Sequence, residues 1–243
     1  MTYSQMPHVE DPGALGSKKQ MRVLALETSQ RQACLAVLHV EASRPAITLH
    51  AESIGPELRA AQALLPAMRE LLANCNWRPQ ELDLICTCTG PGSFTGLRIG
   101  VTTAKTLAYA TGAKLVGVHT LAAMAARSGP GAGRLWTVLD AQRQELFAAC
   151  FGNNKAVETQ VIHIENWLEQ LRPGDTVSGP PLKKLAERLP AGVLMTAEET
   201  WAPRAKEVGQ LGIAAFFRGE VTDPMQLVPE YFRRSAAEEN ADA

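Results

Sequence analysis

The chain has 243 residues, 46% of them apolar and 20% charged, and a formal net charge of −1. This composition excludes bulk disorder and any global positive field able to hold a polyanion unaided, so an RNA contact would need a local patch or a partner. At about 100–200 residues per domain, the length suits one large or two modest domains.

The five cysteines, Cys34, Cys75, Cys86, Cys88 and Cys150, are odd in number and lack C-x-x-C spacing. That usage fits a reducing cytosol better than a disulfide framework. Cys86 and Cys88 stand two apart in a strand-like run and read as small core residues on one face. No run of eighteen apolar residues exists, and Met1–Gln20 has no apolar block to serve as a signal peptide. A soluble, cytoplasmic protein is expected, without a membrane segment.

Residues 1–20 read as a loose extension, with the fold beginning at Met21. Strands are expected at Arg22–Leu26, Ala33–Val40 and Ile47–His50, the first two forming a hairpin. From Glu57 to Cys75 the period changes. Leu58, Ala61, Leu65, Met68, Leu72 and Cys75 recur three or four apart, as on an amphipathic helix started by Pro56 and bent at Pro66. Leu84–Cys88 is the next strand and Phe94–Ala110 the next helix. On that helix Gly96, Gly100, Ala104 and Ala108 form a stripe of small residues that demands a close approach, either by the sheet or by another subunit.

Lys114–Val118 and Thr120–Arg127 read as a strand and a short helix. The run SGPGAG at Ser128–Gly133 is the strongest break in the chain. The pattern then restarts, with strands at Leu135–Leu139 and Glu145–Phe151 and a third near Val157–Ile162. Helices are expected at Ile164–Leu171, Leu182–Arg188 and Arg204–Phe217, and short strands near Val177 and Val193–Met195. The division is therefore 1–20 as an extension, 21–127 and 128–234 as two α/β lobes, and 235–243 as an acidic tail. Alternating helices and strands imply an α/β fold.

The sharpest local signal is TGPGSFTG at Thr89–Gly96, a glycine-rich turn between a strand and a helix. Its backbone N–H groups could hold a phosphate or carboxylate, with Arg98 in the next helical turn. Equally, it could be a tight turn that requires glycine. It matches neither the P-loop nor the dinucleotide fingerprint.

Several segments together resemble the bacterial TsaB/YeaZ family: Cys88–Gly100 (CTGPGSFTGLRIG), Met21–Ser29 (MRVLALETS), Leu64–Pro66, Gly117–Leu121 (GVHTL) and Pro229–Arg233 (PEYFR). The resemblance spans nearly all of Met21–Arg234. It implies a two-lobed fold like that of actin, Hsp70 and sugar kinases (ASKHA), as a degenerate relative of the TsaD/Kae1 subunit. It also implies a supporting, non-catalytic role beside a TsaD-like transferase that modifies N6 of adenosine 37 in tRNAs reading codons that begin with adenine. The implied partners are that transferase, the small ATPase TsaE, and a second copy of the chain when alone, with tRNA contacted mainly through the complex.

The TsaD-like subunit carries a metal-binding H-x-x-x-H pattern where this chain has Thr120 and Met124, a poor ligand pair for a hard cation. The remaining cleft residues implied by the family are Glu27, Thr28, Ser29, Gly90, Gly92, Ser93 and Asp140. Glu27 replaces the usual aspartate and Gln142 the usual arginine. Weak residual ATP or ADP binding is compatible with this set, efficient hydrolysis is not, and no cofactor is required. The expected partner-docking surface combines Leu58, Ala61, Leu65, Met68 and Leu72 with Gly96, Gly100 and Ala104. A basic patch could gather Arg204, Lys206, Arg218, Arg233 and Arg234 if folding brings them together. Two rival readings are a stand-alone kinase or ATPase and a glycoprotease-like peptidase; Ser93 lacks the G-x-S-x-G context the latter would need.

Overall fold

The computed structural model describes residues 20–41, 46–55, 60–129, 133–152 and 158–233. The expected extension (apart from Gln20), the acidic tail, Leu58, the Ala61 side chain and Arg234 lie outside the described residues. Gln20 already belongs to the first strand, one residue before the expected start of the fold.

Two five-stranded sheets are built in the same way. In the first, β1 (Gln20–Glu27), β2 (Cys34–Glu41) and β3 (Ile47–Ser53) form an antiparallel meander, and β4 (Leu84–Gly90) and β5 (Lys114–His119) add on parallel, in the order β3-β2-β1-β4-β5. In the second, β6 (Leu135–Gln142), β7 (Glu145–Phe151) and β8 (Gln160–His163) form the meander. There β9 (Thr176–Ser178) and β10 (Leu194–Met195) join parallel, in the order β10-β9-β6-β7-β8. The parallel strands are reached through helices, since parallel neighbours need a crossover too long for a hairpin turn. The helices are α1 (Ala60–Asn74), α2 (Phe94–Thr111), α3 (Thr120–Ser128), α4 (Ile164–Gln170), α5 (Leu182–Leu185) and α6 (Ala205–Phe217).

Period-two alternation sorts the first sheet's side chains into two cores. Val23 and Ala25 of β1, Ala36 and Leu38 of β2, and Cys86 and Cys88 of β4 face α6. Leu24, Leu26, Leu35, Val37 and Ile85 face α1 and α2, which contribute Leu64, Met68, Leu71, Leu72, Val101, Ala104 and Ala108. The two-apart cysteines do share one face, fully buried. In the second lobe one sheet face packs Trp136, Val138 and Leu146 against Trp167 of α4 and Leu182 and Leu185 of α5. The other packs Leu139, Ala141 and Phe147 against Leu121 and Met124 of α3.

Two helices therefore cross the expected break near residue 128. α3 precedes it yet lies on the second sheet, and α6 follows it yet lies on the first. Gly209 and Gly212 permit the second crossing: a Cβ at Gly209 would stand 2.4 Å from Leu38 Cδ1, and one at Gly212 2.2 Å from Cys86 Sγ. Only hydrogen fits between this helix and the sheet.

Candidate functional site

The glycine-rich loop closes β4 and opens α2. Ser93 caps the helix, its Oγ accepting from the Gly96 amide at 3.2 Å, which satisfies one of the donors a helix start leaves free. The Ser93 amide is also committed, donating to Ser29 O at 2.7 Å. Gly90 has φ +138°, and a Cβ there would lie 2.5 Å from Glu230 O; one on Gly92 would lie 2.4 Å from Ser29 O. The loop is thus gripped on two sides by the chain's own backbone. Its glycines serve that close approach, and one N–H an anion would need is already occupied.

Of the expected cleft residues, Glu27, Thr28, Ser29, Gly90, Gly92 and Ser93 come together around this loop. Asp140 is exposed, and its carboxylate accepts from the Gln142 amide at 2.7 Å within its own hairpin turn. Gln142, Arg143 and Gln144 all have positive φ there, without a glycine.

Glu27 ends β1 opposite Cys34 and is fully buried. Its Oε1 accepts from the Ser29 amide at 2.7 Å and from the Ser29 hydroxyl, while Oε2 has no hydrogen-bond partner among the described residues. Burial raises its pKa to about 7, against the lowering pull of the Ser29 bonds and the Arg204 charge. The neighbouring Cys34 thiol is pushed up to about 12, chiefly by burial and then by the Glu27 charge. The carboxyl is thus sealed from solvent and, with its pKa raised by burial, carries less than a full negative charge near neutrality.

The small-residue stripe turns inward, which corrects its assignment to the docking surface. A Cβ on Gly96 would meet Thr28 O at 2.0 Å, and one on Gly100 would meet Thr28 Oγ1 at 2.1 Å; Ala104 is fully buried in the core shared with α1. Met68 and Leu72 are buried in that same core, whereas Leu65 is 58% exposed. The outer face of α2 carries the apolar surface that sequence reading missed. Tyr109 is 78% exposed and Met225 74%; with Thr102, Lys105, Thr106 and Pro224 they line a shallow groove of about 320 Å³. The signal available was a tyrosine on the polar face of α2.

Thr120 and Met124 are both fully buried. Beside them, His119 has its pKa lowered by burial, partly opposed by the Glu230 charge, and shares Nε2 with the Thr159 hydroxyl at 2.7 Å. Among the described residues no group of three or more His, Cys, Asp or Glu side chains could hold a metal ion. Also among them, no helix is long and apolar enough to cross a membrane. Among the described residues the expected basic patch does not come together as one surface. Arg204 and Lys206 lie at the N-terminal end of α6, Arg218 at its other end is paired with Glu220, and Arg233 reaches Ala141 O and Glu145.

The duplicated sheet order, the two exchanged helices and the strand-to-helix glycine turn define an ASKHA-like fold related to the TsaD/Kae1 proteins. The family model described as "TsaD: tRNA N6-adenosine threonylcarbamoyltransferase" matches residues 54–228. The chain is 31% identical to the tRNA threonylcarbamoyladenosine biosynthesis protein TsaB of Bacillus subtilis over 90% of this chain and 96% of that protein. Against the same-named protein of Escherichia coli it is 26% identical, over 89% and 96%. The solved structure of YeaZ from Pseudomonas aeruginosa superposes with a TM-score of 0.70 at 28% identity, covering 87% of this chain and all of that one. The chain belongs to the TsaB/YeaZ family.

Proposed function

We infer that this chain is the supporting, non-transferring subunit of the system that makes threonylcarbamoyladenosine in tRNA. The observation that carries the reading is its near full-length likeness to TsaB. The buried Thr120 and Met124 agree with it, since neither can bind a hard cation. The transfer to N6 of adenosine 37 falls to a TsaD-like partner, with a TsaE-like ATPase completing the set in the cytoplasm and tRNA held by the assembly. The test is reconstitution of tRNA modification from partners of the same organism, with and without this chain. Modification is expected to collapse on omission; unchanged modification would refute the assignment.

The docking surface for the transferase, and for a second copy when the chain is alone, is assigned to the outward faces of α1 and α2 with the segment after α6 that lies against α2, centred on Leu65, Tyr109 and Met225. Exposed aromatic and methionine side chains of this kind dominate interface energies. Tyr109→Glu combined with Met225→Glu should weaken transferase binding by at least about tenfold, read by calorimetry, with an unchanged melting temperature. Equal affinity in the variant would move the interface elsewhere.

A further inference from the structure

The segment after α6 is neither helix nor strand, yet it touches both lobes. Thr222 donates its amide to Leu115 O at 2.8 Å, and Leu227 is buried over Gly117, where a Cβ would stand 2.9 Å from its Cδ1. Four consecutive residues then contact five different elements. The Glu230 amide donates to Thr89 O at 2.8 Å, the Thr89 hydroxyl donates to Glu230 Oε1 at 2.9 Å, and the Glu230 carbonyl covers Gly90. Tyr231 stacks on Phe94 with ring centroids 4.6 Å apart, and its hydroxyl accepts from Arg98 Nε at 2.9 Å. The Arg98 guanidinium lies 3.8 Å from the Phe94 ring centroid. Phe232 sets its ring against His119 and against Phe147 of the second sheet. Arg233 donates to Ala141 O at 2.6 Å and faces Glu145 at 3.2 Å, both in the second lobe's hairpin.

We propose that residues Glu230–Arg233 form a releasable strap that fastens the two lobes together across the glycine-rich loop. Three observations carry this. The contacts run in sequence from the first-lobe loop to the second-lobe hairpin, and Phe232 in the run touches both lobes, through His119 and Phe147. They are half-solvated: Glu230 and Tyr231 are exposed, while Phe232 and Arg233 are half-buried. Contacts of this kind open at lower free energy than core strands. Finally, the strap is marginal to the packing: Phe232 is a partly buried addition to the face of the second sheet that packs on α3, and the other three clusters hold no residue of Glu230–Arg233, so the strap can leave without unmaking either sheet. When released, it uncovers Gly90 and frees the β6–β7 hairpin; when seated, it holds the lobes in one relative arrangement.

The test is amide hydrogen exchange on the full chain, comparing the wild type with the double variant Phe232→Ala, Arg233→Ala. Exchange should rise at least tenfold together in residues 89–98 and 140–147, while β1 and β9 keep their protection. A rise confined to 230–233, or none, overturns the strap. Loss of protection throughout the chain also overturns it, because the segment would then belong to the cooperative core. An independent reading comes from the wild type in low denaturant. There the amides of 89–98, 140–147 and 230–233 should share one opening step below global unfolding, and three unrelated openings would contradict the proposal.

Discussion

Gly96→Ala is expected to destabilise the protein by about 2–3 kcal/mol, although the same change in an exposed helix interior would stabilise it by about 1 kcal/mol. The steric cost wins because the new Cβ would lie 2.0 Å from the carbonyl oxygen of Thr28, a backbone atom in a fully buried turn. Moving that turn would disturb Glu27 and Ser29, whose carboxylate and amide are bonded to each other, and the Ser29 carbonyl that receives the Ser93 amide. Gly100→Ala should cost less. Its obstacle is the Thr28 hydroxyl at 2.1 Å, a side-chain atom with no hydrogen-bond partner among the described residues and free to seek another rotamer. Urea unfolding of both variants measures the difference. A Gly96→Ala protein as stable as the wild type would show that the turn yields.

Glu27→Gln should act in the opposite direction and depend on pH. Folding lifts this carboxyl from its ordinary 4.5 to about 7, mainly by burial. Between those values the folded state keeps a proton that the unfolded state has released, so stability falls as pH rises through the window, and the full penalty is present above it. At about 1.4 kcal/mol per tenfold change in affinity, the penalty is about 3 kcal/mol. Glutamine keeps the shape and the oxygen that Ser29 donates to, but cannot ionise. The variant should match the wild type near pH 5 and exceed it by about 2–3 kcal/mol near pH 8.5. Equal stabilisation at both pH values would mean that Glu27 does not titrate in this range.

The strands and helices were legible because their periods are clean. The apolar runs of β1, β2 and β4 mark buried strands, and the three-to-four spacing of Leu65, Met68 and Leu72 found α1, although its buried face runs through Leu64, Met68, Leu71 and Leu72 and leaves Leu65 exposed. What periodicity cannot carry is the identity of the surface that covers an apolar face. The stripe at Gly96, Gly100 and Ala104 announced a close approach without saying by what, and it is the chain's own Thr28 turn that comes near. α6 read as a helix of the second lobe because of its place in the sequence, and Gly209 and Gly212 reveal its true neighbours only once Leu38 and Cys86 are in place. The second hairpin was legible as the strands Leu135–Leu139 and Glu145–Phe151, but the conformation of its turn was not. Positive φ at Gln142, Arg143 and Gln144 usually announces itself through glycine or asparagine, and here neither is present. Glu230–Arg233 carried a family motif but no local pattern, since its partners are all distant in sequence.

The return of α6 to the first sheet sets a schedule for biosynthesis. β1 and β2 leave the ribosome early, yet the helix that covers one face of them begins only at Ala205. Val23, Ala25, Ala36 and Leu38 gain that cover only once α6 has emerged, so a message truncated before Ala205 would leave the earliest-made sheet with an uncovered apolar face, the kind of surface that makes an incomplete chain aggregate.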